Sequence, residues 1–169
     1  MLILEGDGMT ERRAYGIGLP EGAGAAYEHA LLLMNSYRRW TGKELAALEA
    51  GRSLEETLFE APMAILSHGI EADPVLNYGN RYTLKLWEMD WDTLTRMPSR
   101  LTAEPMEREE RDRFFEQVTA HGFVDNYTGI RISASGRRFY ILKATVWNLV
   151  DDEERYRGQA ACFSEYRYI

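Results

Sequence analysis

The stretch 73-DPVLNYGNRYTLKLWEMDWDTL-94 sets the reading of the fold. Asp73-Pro74 is turn punctuation: Asp bonds its own backbone and Pro fixes φ. Val75 to Tyr78 then reads as a short strand. Asn80 suits a helix N-cap, because its side-chain oxygen can accept an orphan backbone N–H. Leu84 with Trp87 or Met89 supplies the apolar side of the helix that follows. Asp90 caps a second short helix, Trp91 to Met97, which Pro98-Ser99-Arg100 ends.

Upstream, PMAILSH at 62–68 is a compact apolar run and reads as a strand. Before it lies a helical extension over 27–60. Tyr27, Ala30, Leu31, Met34 and Tyr37 recur at helical spacing. Thr41-Gly-Lys-Glu44 has capping-box form and predicts a second helix to about Ala50. Ser53-Leu-Glu-Glu56 repeats the box and opens one short turn before Pro62. Residues 1–26 carry six glycines and read as a weakly ordered leader.

Downstream, 106–121 predicts a long helix. Glu107, Glu109 and Glu110 favour its N-terminal turn, Phe114, Phe115 and Val118 its buried side, and His121-Gly122 its stop. The rest is β: Phe123 to Ser133, a tight Ala134-Ser135-Gly136 turn, Arg137 to Val150, an acidic turn, and Tyr156 to Tyr166. The expected fold class is α+β, with a five-stranded antiparallel sheet, helices on one face and an N-terminal helical extension before a domain at 61–169.

Composition narrows the function classes. A chain of 169 residues with 45% hydrophobic content is one domain with a core of its own. The net charge of −7 disfavours a general nucleic-acid surface. A single cysteine, Cys162, excludes an intramolecular disulfide. Apolar runs fall short of the roughly 20 residues of a membrane span, and no secretory h-region opens the chain. The expected setting is cytoplasmic, without nucleic acid or membrane as a partner.

Several blocks, in order, resemble bacterial MEKHLA-domain proteins: SYRRWTG at 36–42, APMAILSHGIEADPVLNYGNR at 61–81, LWEM at 86–89, PSRLTAEPMEREER at 98–111, SGRRFYILKATVWNLVD at 135–151 and YRGQAACFSEY at 156–166. The similarity runs from about Tyr27 to the end. That family is similar to PAS domains, small α/β sensors, and the strand–helix–strand order agrees. Its plant relatives sit at the C-terminus of homeodomain-zipper transcription factors. This sequence has no homeodomain or zipper, so the resemblance implies no DNA binding. It also implies no catalytic residues.

The candidate chemistry is sparse. His68, Glu71 and Asp73 are close in sequence but match no metal spacing, and a polar loop accounts for them. His121 lies on the helix from which haem-binding PAS domains draw an axial ligand, but at its extreme end, where it complements the helix dipole. Cys162 lacks the asparagine-arginine-cysteine context of flavin-adduct PAS relatives and sits mid-strand, as an inert buried thiol does. Ser67 beside His68 is adjacency only. No cofactor is assigned and no enzyme activity is expected.

Asn77, Asn126, Tyr127 and Thr128, with Phe115, Val118, Leu142 and Cys162, are candidates to line a PAS-like cavity for a small molecule. The alternative is that they fill the core. Leu31, Leu32, Leu33 and Met34 make the first helix apolar on more than one side. One side faces the sheet. Leu31, Leu32 and Met34 are candidates for a homodimer contact, unless helices 27–40 and 41–50 cover each other. Two functions follow: a sensory or ligand-binding module acting on a separate signalling partner, or a ligand-free dimerisation domain with a filled core.

Overall fold

The structure is a computed structural model that describes residues 20–169. Most of the expected leader lies outside the described residues. The quoted stretch keeps the strand–helix–helix order read from it. Strand β2 (Leu76–Gly79) leads into helix α3 (Arg81–Trp87), where Asn80 accepts from Thr83 N. Asp90 likewise caps the next short helix (Trp91–Leu94) by accepting from Thr93 N at 2.7 Å. That helix is shorter than expected, and a 3-10 turn at Ser99–Thr102 follows.

The other elements in chain order are α1 (Tyr27–Thr41), α2 (Leu54–Phe59), β1 (Ala64–His68), the long helix α5 (Pro105–His121), β3 (Phe123–Ile132), β4 (Arg138–Val150), β5 (Tyr156–Phe163) and β6 (Glu165–Tyr168), with the Trp91–Leu94 helix as α4. The strands pair antiparallel in the order β2-β1-β5-β4-β3, and β6 adds to β4. The last predicted strand is therefore broken. Lys143 in β4 adopts a left-handed φ of 52°, and the ladder is interrupted opposite it at Ser164.

One predicted helix is absent. Thr41 ends α1 instead of opening a second helix, because Gly42 takes the left-handed conformation (φ 70°) and its N–H caps Arg38 O. Glu44, expected to return to the Thr41 backbone, pairs with Arg38 at 2.8 Å. The cap expected at Ser53 does form: its Oγ accepts from Glu56 N at 3.2 Å.

The sheet is covered on both faces. On one, α1 packs its Leu33, Tyr37 and Trp40 against β4: the Tyr37 and Trp147 rings meet edge to face, and Trp40 Nε1 donates to Asn148 O at 2.9 Å. On the other lie α3 and α5. Asn148 and Gln159, paired across β4 and β5, reach the last turns of α5. Asn148 Nδ2 donates to Val118 O, and Gln159 Nε2 to Phe115 O and Thr119 Oγ1. Sheet side chains thus tie the last turns of α5 to β4 and β5.

Candidate ligand-binding site

Between the sheet and α5 lies a cavity of about 40 Å³. Its walls are largely apolar, including Leu66, Leu76, Ile141, Val146 and Phe163. That is room for roughly three waters or one small head group. A wider groove of about 490 Å³ runs outside it. Arg111, Phe115, Ser99, His68 and Gln159 line both, so α5 forms the partition between them.

Two guanidinium groups face this cavity. Arg111 on α5 is 6% exposed and Arg131 on β3 is 5% exposed. Arg111 donates to Ser99 Oγ and lies over the Phe115 ring, 4.4 Å from its centroid. Its one ion-pair partner among the described residues, Asp112, is 3.5 Å away with a mostly exposed side chain. Burial, and then the Arg131 charge, pull Arg111 down to about 10, so it stays protonated at neutral pH. Arg131 donates to Ile130 O at 2.8 Å and lies over Tyr127. Gly129 makes that arrangement fit, since a Cβ there would meet Tyr127 Oη at 2.5 Å and Arg131 Nη1 at 2.9 Å. Trp87, 1% exposed, also lines the cavity, and among the described residues its indole N–H has no hydrogen-bond partner.

The residues singled out from sequence are scattered. Phe115 lines the cavity, as does Tyr127. Val118 is fully buried under α5 but is not among the lining residues. Asn126 and Thr128 are exposed, because Asn126 takes a left-handed φ of 58° in a bulge of β3 that turns Tyr127 inward instead. Leu142 is half-buried and alternates away from Ile141. Cys162 pairs in register with Thr145 and lies on the α1 face, and burial pushes its thiol up to about 12. Met34 is 4% exposed inside its own chain, so it offers no surface to a second copy, whereas Leu31 and Leu32 are half-buried at the core edge.

Asn77 also faces α1, in a chain of polar groups. His29 Nε2 lies 3.0 Å from Ser67 Oγ, which donates to Asn77 Oδ1 at 2.6 Å. With the serine proton committed to Asn77, His29 must donate to Ser67, the reverse of what a nucleophile-activating base does. The loop residues are committed as well: His68 Nδ1 to Gly69 O, Glu71 to Val75 N, and Asp73 to Arg100.

Burial lowers His29 from 6.5 to about 4, and burial is also the leading cause of a lowered His68. The unfolded chain takes up these protons below about pH 6.5 while the folded chain refuses them, so stability is full above that pH and falls towards pH 4. For His29 the loss reaches about 3 kcal/mol. Urea unfolding at a series of pH values should show this slope, and His29→Gln should flatten it; equal slopes would assign it to other groups.

The sheet order and the helices between β2 and β3 define a PAS-like α+β domain. Similar solved structures include a PAS domain from Colwellia psychrerythraea (12% identity, TM-score 0.56, covering 68% of this chain and 92% of that one). The light-state dimer of the fungal blue-light photoreceptor Vivid is similar too (12% identity, TM-score 0.57, covering 86% and 97%), as is the dark structure of the Aureochrome1 LOV domain (17%, 0.53, 70% and 86%). At these identities the likeness is one of fold. A profile of the MEKHLA domain matches residues 27–168, and the chain belongs to that family. The homeobox-leucine zipper protein ATHB-15 of Arabidopsis thaliana is 25% identical over 150 residues, a match covering 88% of this chain but 18% of the plant protein. Among the described residues no helix is long and apolar enough to cross a membrane.

Arg111 and Arg131 escaped the sequence reading, although one signal was present. Arg111, Phe115 and Val118 sit at i, i+4 and i+7, which places the arginine on the apolar stripe of α5.

Proposed function

We propose that this chain is a PAS-like sensory module that binds a small molecule between its sheet and α5. The supporting observation is the apolar-walled cavity into which Arg111, Arg131 and Trp87 converge. Few polar groups on apolar walls fix a ligand's orientation. Occupancy would bear on α5, which separates cavity from groove, and so on the surface offered to a signalling partner. The reading is one of binding and not catalysis, in keeping with the committed Ser67 proton and the neutral His29.

A second reading rests on the cavity's size. At about 40 Å³ it is small, which favours a filled-core interaction domain, with Leu31 and Leu32 as its homodimer edge. Thermal denaturation with a varied small-molecule set separates the two. Under the first reading, some molecules raise the wild-type melting temperature, and Ala161→Val, which narrows the cavity, abolishes those shifts. If no molecule acts and Ala161→Val itself raises the melting temperature, the second reading holds.

A further inference from the structure

Resting on the ligand-binding reading, we infer that the ligand is a small organic carboxylate whose head group is held by Arg111, Arg131 and the Trp87 indole N–H. Two cations share one buried cavity, and among the described residues no aspartate or glutamate lines it. Among the described residues Arg131 has no ion-pair partner, and that of Arg111 is on the solvent side. Buried charges are ordinarily paired, because removing them from water is costly. Burial of two like charges side by side is therefore an arrangement that an incoming anion would complete.

The chemistry selects among ligands. A cation would be repelled, and a neutral molecule would leave Arg131 without a counter-charge and Arg111 with only the exposed Asp112. A carboxylate matches the planar fork of a guanidinium in two parallel hydrogen bonds. Trp87 supplies a further donor that has no acceptor among the described residues, in line with an anion that has lone pairs to spare. The apolar walls suit a carbon chain attached to the head group and offer nothing to a free inorganic anion. The Tyr127 contact and the space at Gly129 hold the Arg131 guanidinium in place before a ligand arrives.

The test is binding by calorimetry and thermal shift on the full chain in carboxylate-free buffer. The probes are acetate, propionate and benzoate, each against its amide, with sulfate and phosphate alongside. Carboxylates should stabilise the protein and their amides should not. Arg131→Met or Arg111→Met should weaken propionate roughly 10- to 100-fold, as expected for lost charge-assisted bonds. Arg131→Lys should recover part of that, and ligand-free Arg131→Met should melt no lower than wild type, since it relieves the like-charge burial. Sulfate or phosphate acting as strongly as propionate would overturn the organic carboxylate. Amides binding as well as acids, with loss in Ala161→Val, would overturn the anion while leaving the ligand site standing. Silence from every probe, neutral and charged, with Arg131→Met melting well below wild type, would make the arginines structural and remove both.

Discussion

Asn80→Ala should destabilise the protein by about 4 kcal/mol, several times the ~1 kcal/mol typical of a lost helix cap. Asn80 is fully buried at the junction of β1, β2 and α3. Its Oδ1 accepts from Ile65 N at 3.0 Å and Thr83 N at 3.2 Å. Its Nδ2 donates to Leu58 O at 3.1 Å and Met63 O at 2.8 Å. Alanine would strand the Ile65 and Thr83 donors and remove a partner from Met63 O and from Leu58 O, which keeps only Ala61 N at 3.3 Å. Each stranded group costs about 1–3 kcal/mol, not fully additively. For a domain of this size the melting temperature should drop by roughly 8–16 °C. Asn80→Ser can still cap Thr83 but reaches neither Leu58 nor Met63, so it should recover less than half. A loss near 1 kcal/mol with full recovery by serine would reduce Asn80 to a cap.

Gly158→Ala should cost about 3 kcal/mol or more, through backbone strain and a steric conflict. Gly158 sits in β5 at φ 126°, a conformation that L side chains rarely adopt. A Cβ there would stand 2.0 Å from the carbonyl oxygen of His68 in β1. Backbone cannot yield as a flexible side chain can, so β1 must separate from β5 at the residue that lines both cavity and groove. Chemical denaturation should show the lost stability, and any propionate binding should weaken with it. An unchanged unfolding free energy would mean that the two strands are free to part here.

These two positions also show what was legible in advance. Asn80 and Asp90 were readable as caps because capping is local, needing only the right side chain before an apolar-periodic run. The long-range reach of Asn80 to Leu58 and Met63 was not, since nothing in sequence places 58 beside 80. The Thr41 box misled for a physical reason: the same segment carries Gly42, whose left-handed conformation ended the helix that the box would have begun. The strands were readable from an apolar run, turn punctuation and, for the long β4, alternation, but neither their inward faces nor the break between β5 and β6 was. One left-handed residue, Asn126, moved its neighbours across the sheet and turned Tyr127 towards the cavity. The arginines were obscured by their setting. Arg111 lies in the charged run EREERDR, which reads as a solvated helix face, and only tertiary packing distinguishes it from Arg108 and Arg113.

Cys162 illustrates the opposite outcome. Burial was legible here from the strand setting between Ala161 and Phe163, and it pushes the thiol up to about 12.

The most direct test of the cavity as a ligand site is an amide and indole NMR titration with propionate. The Trp87 indole N–H, in the cavity wall and unpartnered among the described residues, should shift with saturation, along with the Arg131 Nε–H. The Trp40 indole, bonded to Asn148 O on the opposite face of the sheet, should stay still and serve as the internal control. Saturable movement of Trp87 with Trp40 fixed is the predicted result; a Trp87 signal that never moves, or movement confined to Trp40 and the α1 face, would contradict it.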